Sequence, residues 1–228
     1  MPGFHVPSTL MNISADALLF DSDETLLSTL KSLVRCWTRW AEGYGLTLAD
    51  VTSVEVHGRP ASAIVADLLP AEKVAEAVAR LEQAEIDDAA AGGVTPVPGA
   101  QELLAALPAH RWAVVTSGTR RVAEIRLAQI GVYPKHLITV DDVTRHKPDP
   151  EPFLLAAQRL GVDPARCVVF EDAPAGLTAG RAAGMTTVAL TTTCSAQELE
   201  HAADMIISDL SSVSVRDTDS GVQITITA

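Results

Sequence analysis

The chain has 228 residues, of which 47% are hydrophobic and 20% are charged, and this composition is typical of a globular protein rather than a disordered one. The formal net charge of −12 repels nucleic acids and anionic membranes, so we expect neither as a partner. The three cysteines are far apart and form no CxxC pair, which argues against a zinc site or a disulfide framework and favours a reducing cytoplasm. Residues 1–14 lack the pattern of a signal peptide, and we interpret them as a loose N-terminus.

Short apolar runs of strand length alternate along the chain with helical patterns. The predicted strands end in polar or acidic residues, and they are Ala17–Phe20, Trp112–Val115, Leu137–Val140, Val168–Phe170 and Thr187–Leu190. The predicted helices between them are Ala100–Leu107, Arg121–Ile130, Glu151–Leu160 and Gly176–Ala183. This alternation predicts an α/β fold with a parallel sheet that is covered by helices on both faces.

The stretch from about Leu27 to Val94 differs, because it is helix-like throughout and carries no convincing strand. A run of glycines and prolines at residues 92–99 then breaks the helical pattern. We therefore predict two parts, an α/β core from residues 15–28 and 95–228 and an all-helical insert from residues 29–94. At the end of the chain, residues 222–227 alternate between apolar and polar, which indicates an edge strand.

Two carboxylates, Asp21 and Asp23, follow the first predicted strand directly. In an open α/β sheet, ligands bind beyond the carboxyl ends of the strands, so Asp21 lies where chemistry is expected. One carboxylate can attack a substrate while the other exchanges a proton. Taken alone, Asp21 is equally compatible with the N-cap of a helix, where aspartate is also favoured.

Three further motifs follow or adjoin predicted strands. Ser117 and Gly118 offer O–H and N–H donors of the kind that cradle a phosphate. Lys147 supplies a point cation for phosphate and transition-state charge. Glu171 and Asp172 end a buried strand, and their oxygens suit Mg²⁺. Each motif also has an ordinary interpretation, namely a Ser/Thr cap, a solvated lysine and a helix cap.

The four motifs together, in this order, resemble those of the haloacid-dehalogenase-like hydrolase superfamily over residues 15–228. The sequence looks most like the sugar-phosphatase and β-phosphoglucomutase-like branch, which carries a helical cap after the first strand. The stretches that carry this resemblance are Val114–Gly118, Lys147-Pro148, Val168–Gly176 and His57-Gly58-Arg59-Pro60. The resemblance implies a Rossmann-like parallel sheet with helices on both faces and a cap at residues 29–94, and we expect a monomer or weak dimer.

The resemblance also implies a Mg²⁺-dependent phosphatase that hydrolyses small phosphorylated metabolites, such as sugar or polyol phosphates, through an aspartyl-phosphate. Asp21 is then the nucleophile, and Asp23 is the acid and base. The implied metal ligands are Asp21, the backbone carbonyl of Asp23 and Asp172, with Glu171 in support. The implied contacts to phosphoryl oxygens are Ser117, the Gly118 amide and Lys147. In the cap, His57 and Arg59 are candidates for contacting the sugar, and a surface turn is the alternative for that segment.

Glu24 departs from the family pattern, which has glycine at this position. Glycine allows backbone geometry that is costly for other residues. Three interpretations are open: Glu24 points to solvent and is tolerated, it reshapes specificity or restricts the cap, or it weakens catalysis. We favour tolerance, because the other catalytic positions are intact, and we expect Glu24→Gly to keep or raise phosphatase turnover.

Two rival functions share much of this pattern. A phosphosugar mutase has the same four motifs, but its cap must hold a second phosphate, and the insert shows no dense basic cluster beyond Arg59 and Lys73. A silent phosphosugar-binding protein is the rival from another class, with Glu24 as the cause of lost catalysis. A dehalogenase is disfavoured, because Asp23 and the Glu171-Asp172 pair would have no clear role in it. A phosphonate hydrolase needs a lysine in the cap, and this sequence has none that is well placed by motif.

Overall fold

The computed structural model of the chain describes residues 10–54 and 59–227. Within these ranges the strands are β1 (Leu10–Ala15), β2 (Ala17–Phe20), β3 (Leu27–Ser28), β4 (Thr95–Pro96), β5 (Trp112–Val115), β6 (Leu137–Ile138), β7 (Cys167–Glu171), β8 (Thr186–Leu190), β9 (Met205–Ile207), β10 (Val213–Thr218) and β11 (Gly221–Thr227). The helices are α1 (Leu30–Gly43), α2 (Leu48–Thr52), α3 (Ala61–Leu68), α4 (Ala71–Ala90), α5 (Ala100–Ala105), α6 (Arg120–Gln129), α7 (Glu151–Leu160), α8 (Pro174–Ala182) and α9 (Ala196–Leu199). None of these described helices is both long and apolar enough to cross a membrane.

A six-stranded parallel sheet forms the centre of the molecule, with the strand order β6-β5-β2-β7-β8-β9. Strand β2 lies between β5 and β7, and Phe20 is aligned with Val114 on one side and Phe170 on the other. Because parallel strands end at the same edge of a sheet, this register brings the residues after β2, β5 and β7 together. The predicted α/β fold with a parallel sheet is confirmed.

The sheet is buried on both faces, and alternate residues of β2 pack into two different cores. Leu18 and Phe20 lie in one core with α5 and α6, where the rings of Phe20 and Phe170 stack with their centroids 5.0 Å apart. Ala17 and Leu19 point to the opposite face and pack with α7 and α8. This two-residue alternation is the geometry of a strand, and it explains why β2 is apolar at every position.

The helices α1 to α4 follow the first strand of the central sheet and have a core of their own, which includes Trp40, Val51, Ile64 and Leu81. The indole of Trp40 donates a hydrogen bond to the Ala77 carbonyl at 2.8 Å and so joins α1 to α4. The short strands β3 and β4 pair antiparallel at the two ends of this helical insert. The predicted all-helical insert is thus observed in the described residues.

A second sheet corrects two expectations about the chain ends. Its strand order is β1-β11-β10, and both pairings are antiparallel. Residues 10–14 belong to β1, so the interpretation of that part of the N-terminus as loose is wrong, while residues 1–9 lie outside the described residues. Strand β11 is central in this sheet and not an edge, because it pairs with β1 on one side and with β10 on the other. Its residues Ile224 and Ile226 are fully buried against the same core as Phe20.

The third predicted strand is shorter than expected. Strand β6 ends at Ile138, and a 3₁₀ turn follows at Val140–Asp142. The carboxylate of Asp142 accepts hydrogen bonds from the Thr139 amide and hydroxyl at 2.9 Å each, which fixes a capping turn at this point.

Candidate active site

The side chain of Lys147 lies at the carboxyl edge of the sheet and is only 4% exposed. Its ammonium donates hydrogen bonds to Asp21 Oδ1 and Glu171 Oε1 at 2.7 Å each and to the Val115 carbonyl at 2.9 Å. Burial alone lowers the pKa of Lys147, but the two carboxylates outweigh it and hold that pKa above its ordinary value. The interpretation of Lys147 as a solvated surface lysine is therefore wrong.

Glu171 is held in place by contacts to both of its carboxylate oxygens. Oε1 accepts from Lys147, and Oε2 accepts from the backbone amides of Asp172 and Ala173 at 2.9 Å each. Gly176 in α8 packs so closely that a Cβ built there lies 1.6 Å from Glu171 Oε1. These contacts make Glu171 the orienting partner of Lys147.

The carboxylates of Asp21, Glu171 and Asp172 form a buried cluster whose oxygens lie within 4.8 Å of one another. Burial raises the pKa of Asp21 well above its usual range despite the neighbouring Lys147. Burial, with the nearby Glu171 carboxylate, raises the pKa of Asp172 to about 8. Three buried carboxylates face a single ammonium here, so an added cation would relieve their repulsion.

Asp172 is oriented by two hydroxyl groups. Thr25 Oγ1 donates to Asp172 Oδ1 at 3.4 Å, and Thr193 Oγ1 donates to Oδ2. Hard oxygen ligands of this kind suit a small divalent cation, which needs few carboxylates and keeps several waters. The donor set of Asp21 and Asp172, supported by Glu171, therefore fits the expected metal ion.

Asp23 lines the same pocket as Asp21 but points to different partners. Its Oδ1 accepts a hydrogen bond from Arg126 Nη1 of helix α6 at 2.9 Å, and its side chain is 26% exposed. Arg126 in turn lies 3.4 Å from Glu85 Oε1 on helix α4 of the insert. The structure thus places the second aspartate between the pocket and a buried arginine.

The loop after β5 carries the predicted phosphate cradle. Ser117, Gly118 and Thr119 all line the pocket. The Gly118 amide donates to Thr116 Oγ1 at 3.1 Å, so its use on a phosphoryl oxygen stays a prediction. The hydroxyl of Thr119 donates to Glu82 of α4 at 2.6 Å, which joins this loop to the helical insert.

The pocket above these groups has a volume of about 480 Å³. Its core side is polar, whereas the insert contributes mostly apolar side chains. Leu30, Leu33, Val34 and Trp37 form one face of α1 at helical spacing and line this wall. Arg59 also lines the pocket and forms an ion pair with Asp67 at 2.9 Å, while His57 lies outside the described residues.

Glu24 does not point to solvent, so that interpretation is wrong. Its side chain is buried, with the residue 8% exposed, and its backbone adopts a φ of 58°. One carboxylate oxygen, Oε1, accepts from the amides of Thr29 and Leu30 at 2.5 and 2.6 Å. Glu24 therefore satisfies two free amides at the start of α1, whose N-cap residue Thr29 makes no side-chain cap of its own.

Sequence reasoning missed Arg126 and Glu85, although a signal for each was present. Arg126 occupies the inward face of α6 with Val122, Ala123 and Leu127, all of which are buried. Glu85 likewise follows Leu81 by one helical turn on the buried face of α4. A charged residue at an apolar position of a helix indicates a buried partner, because unpaired charges are rarely buried.

The site consists of carboxylates and a lysine at the carboxyl edge of a parallel sheet, beneath a helical insert. This arrangement is typical of an α/β enzyme. A sequence profile of the haloacid dehalogenase-like hydrolase family matches residues 15–184. The chain therefore belongs to this family, and the predicted family and its hydrolase class are confirmed.

Similar proteins support the same assignment. Hexitol phosphatase A of Escherichia coli strain K12 is 35% identical over 207 residues, which cover 89% of this chain and 95% of that protein. Validoxylamine A 7'-phosphate phosphatase of Streptomyces hygroscopicus subsp. limoneus is 39% identical over 203 residues, which cover 86% and 94%. A hydrolase structure from Pseudomonas syringae is 26% identical, with a TM-score of 0.77 and coverage of 86% and 94%.

Proposed function

We propose that the protein is a Mg²⁺-dependent phosphatase of small sugar or polyol phosphates. The observation that carries the proposal is the buried group of Asp21, Glu171 and Asp172, which lines a pocket of about 480 Å³ and contacts the buried Lys147 through Asp21 and Glu171. The relatives named as phosphatases of a hexitol and of validoxylamine A 7'-phosphate support the substrate class. The cytoplasm as location and a monomer or weak dimer as assembly stay predictions.

In this proposal Asp21 attacks phosphorus in line, and a bond forms between its carboxylate oxygen and phosphorus as the bond to the leaving oxygen breaks. Asp23 gives its proton to that oxygen and then takes a proton from the water that hydrolyses the aspartyl-phosphate. Ser117 contacts the phosphoryl oxygens, where a loose transition state spreads its charge. Lys147 reaches them by exchanging one of its three hydrogen bonds, to Asp21, Val115 or Glu171, for a phosphoryl oxygen. Positioning and electrostatics therefore supply most of the rate.

Asp21, Asp172 and the backbone carbonyl of Asp23 are the proposed metal ligands, with Glu171 in a supporting role. When bound there, Mg²⁺ offsets the repulsion between the carboxylates and an anionic phosphate. The single ammonium of Lys147 contacts two of the three carboxylates, Asp21 and Glu171, so a metal ion would add charge that the lysine does not supply.

We propose residues 29–94 as the cap and residues 15–28 and 95–228 as the core, with β3 and β4 at the boundary. The cap then covers the pocket, excludes bulk water and contacts the sugar through Arg59 and His57. Among the described pocket residues, the cap contributes a single arginine, Arg59, which forms an ion pair with Asp67. This favours hydrolysis over a mutase, whose cap must hold a second phosphate.

The test is phosphate release from hexose, pentose and polyol phosphates with Mg²⁺, without a bisphosphate activator. We expect turnover of at least one of them, loss of that turnover with a chelator, and its recovery when Mg²⁺ is added. The Asp21→Asn variant is the matched control, because it keeps the shape of the side chain but lacks the nucleophilic carboxylate. Binding of these compounds without phosphate release by the wild type would instead favour the silent binding protein.

A further inference from the structure

Arg126 is a buried cation between the cap and the core. It is 3% exposed and sits on α6, and it contacts Asp23 through Nη1 and Glu85 through Nη2. Within the described chain, its Nε and Nη2 atoms have no hydrogen-bond partner, since the 3.4 Å approach to Glu85 is an ion pair without hydrogen-bond geometry. The guanidinium is therefore incompletely satisfied where burial makes this costly.

Fold stability alone does not explain such a group. Replacing a buried ion pair by apolar side chains is often neutral or stabilising, because charges lose hydration when they are buried. The neighbours of Arg126 on the inward face of α6 are Val122, Ala123 and Leu127, so an apolar residue would suit this position. Its close hydrogen bond goes to Asp23, the proposed proton donor, and this contact indicates a role other than stability.

We propose that Arg126 is a positioning residue for the proton transfer of Asp23, an inference that rests on the proposed phosphatase function. Arg126 holds Oδ1, so Oδ2 carries the proton that passes to the leaving oxygen as its bond to phosphorus breaks. Asp23 becomes a carboxylate in that step, and the guanidinium stabilises the charge as it develops. The Glu85 carboxylate, 3.4 Å from Nη2, offsets part of the charge of the arginine.

The leaving group separates this role from a structural one. A sugar or glycerol alkoxide needs a proton to leave, whereas 4-nitrophenolate leaves without one. The ratio kcat/KM includes only the steps up to release of this first product, so it excludes the later hydrolysis of the aspartyl-phosphate. The test is kcat/KM of Arg126→Gln for an alkyl phosphate that the wild type hydrolyses and for 4-nitrophenyl phosphate.

We expect Arg126→Gln to lower kcat/KM about 10- to 100-fold for the alkyl phosphate and less than about threefold for the aryl phosphate. The larger loss is a part of the rate enhancement that general acid catalysis contributes. Arg121→Gln is the matched control. Arg121 lies on the same helix and also contacts α4, through Gln83 at 3.2 Å, and it does not line the pocket. This control should keep both rates.

Equal losses on the two substrates, or no loss on either, would overturn the inference. If Arg126→Gln fails to fold, as judged by thermal melting, Arg126→Lys takes its place, because it keeps the charge but not the two-pronged geometry. The lysine variant should lose less on the alkyl phosphate and again little on the aryl phosphate. Failure of the phosphatase proposal itself is distinct, because the wild type would then hydrolyse neither compound.

Discussion

Removal of the Glu24 carboxylate tests how the first helix of the insert is fixed to the catalytic loop. Oε1 accepts from the amides of Thr29 and Leu30, and the Thr192 hydroxyl donates to the Glu24 carbonyl at 2.5 Å. Glu24 also has a φ of 58°, which is unfavourable for a residue with a Cβ. The variants Glu24→Ala and Glu24→Gly separate these two effects, because only glycine removes the backbone strain.

The magnitude follows from the contacts. Loss of a helix-capping side chain costs about 0.5–2 kcal/mol, and the charge and the short distances favour the upper half of that range. Left-handed backbone costs a non-glycine residue about 1–2 kcal/mol, which Glu24→Ala keeps and Glu24→Gly relieves. We therefore expect Glu24→Ala to lower the free energy of unfolding by about 1–2 kcal/mol, with Glu24→Gly more stable than alanine by about 1 kcal/mol.

Thermal melting measures both differences, since about 1 kcal/mol shifts Tm by about 2–4 °C in a chain of this size. Glu42→Ala is the matched control, because it removes the same charge from the exposed C-terminal end of α1, where a carboxylate is not favoured. A Glu24→Ala variant as stable as the wild type would refute the capping role. We still expect Glu24→Gly to keep or raise turnover, because it removes an anion from the lining of the pocket.

Three further predictions concern the carboxylate cluster. Lys147→Met should lower stability by about 3–5 kcal/mol by melting, because it leaves Asp21 and Glu171 buried without their cation, and activity should be lost in phosphate-release assays. Gly176→Ala should lower kcat, because its Cβ meets Glu171 Oε1 at 1.6 Å and displaces the partner of Lys147; unchanged kcat would contradict this. Mg²⁺ affinity should rise between pH 6 and 8, because Asp172, with a pKa of about 8, must lose its proton to bind the metal. Calorimetry in two buffers with different ionisation enthalpies measures the protons that are released.

The central sheet could be predicted from the sequence because its signals are local. The runs Ala17–Phe20 and Trp112–Val115 are buried along their whole length, and Glu151–Leu160 has the predicted bounds. The second sheet depends on a long-range choice instead. Its pairing of Leu10 with Thr227 joins the two ends of the chain, and alternation in each segment alone does not name the partner.

In the candidate site, the sequence likewise predicts which residue types are present but not which side chains contact one another. The spacing of Glu171 and Asp172 indicates only that both lie at a strand end, and the separation of their roles comes from the family resemblance alone. In the structure both Glu171 oxygens accept hydrogen bonds, one from Lys147 and the other from backbone amides, whereas Asp172 is oriented by threonine hydroxyls. These contacts depend on the direction of each side chain and on the long-range contacts of Lys147 with Asp21 and Glu171, and motif spacing does not specify either.

Glu24 and Arg126 together tie the catalytic loop to both ends of the helical insert. Glu24 caps α1, where the insert begins, and Arg126 links Asp23 to Glu85 on α4, where it ends. Rotation of either helix relative to the core therefore breaks a charged contact within three residues of Asp21. Because both contacts meet in the same loop, we expect a change in the position of the insert to move Asp23. Glu24 contributes to this link through its carboxylate, which a glycine at this position would lack.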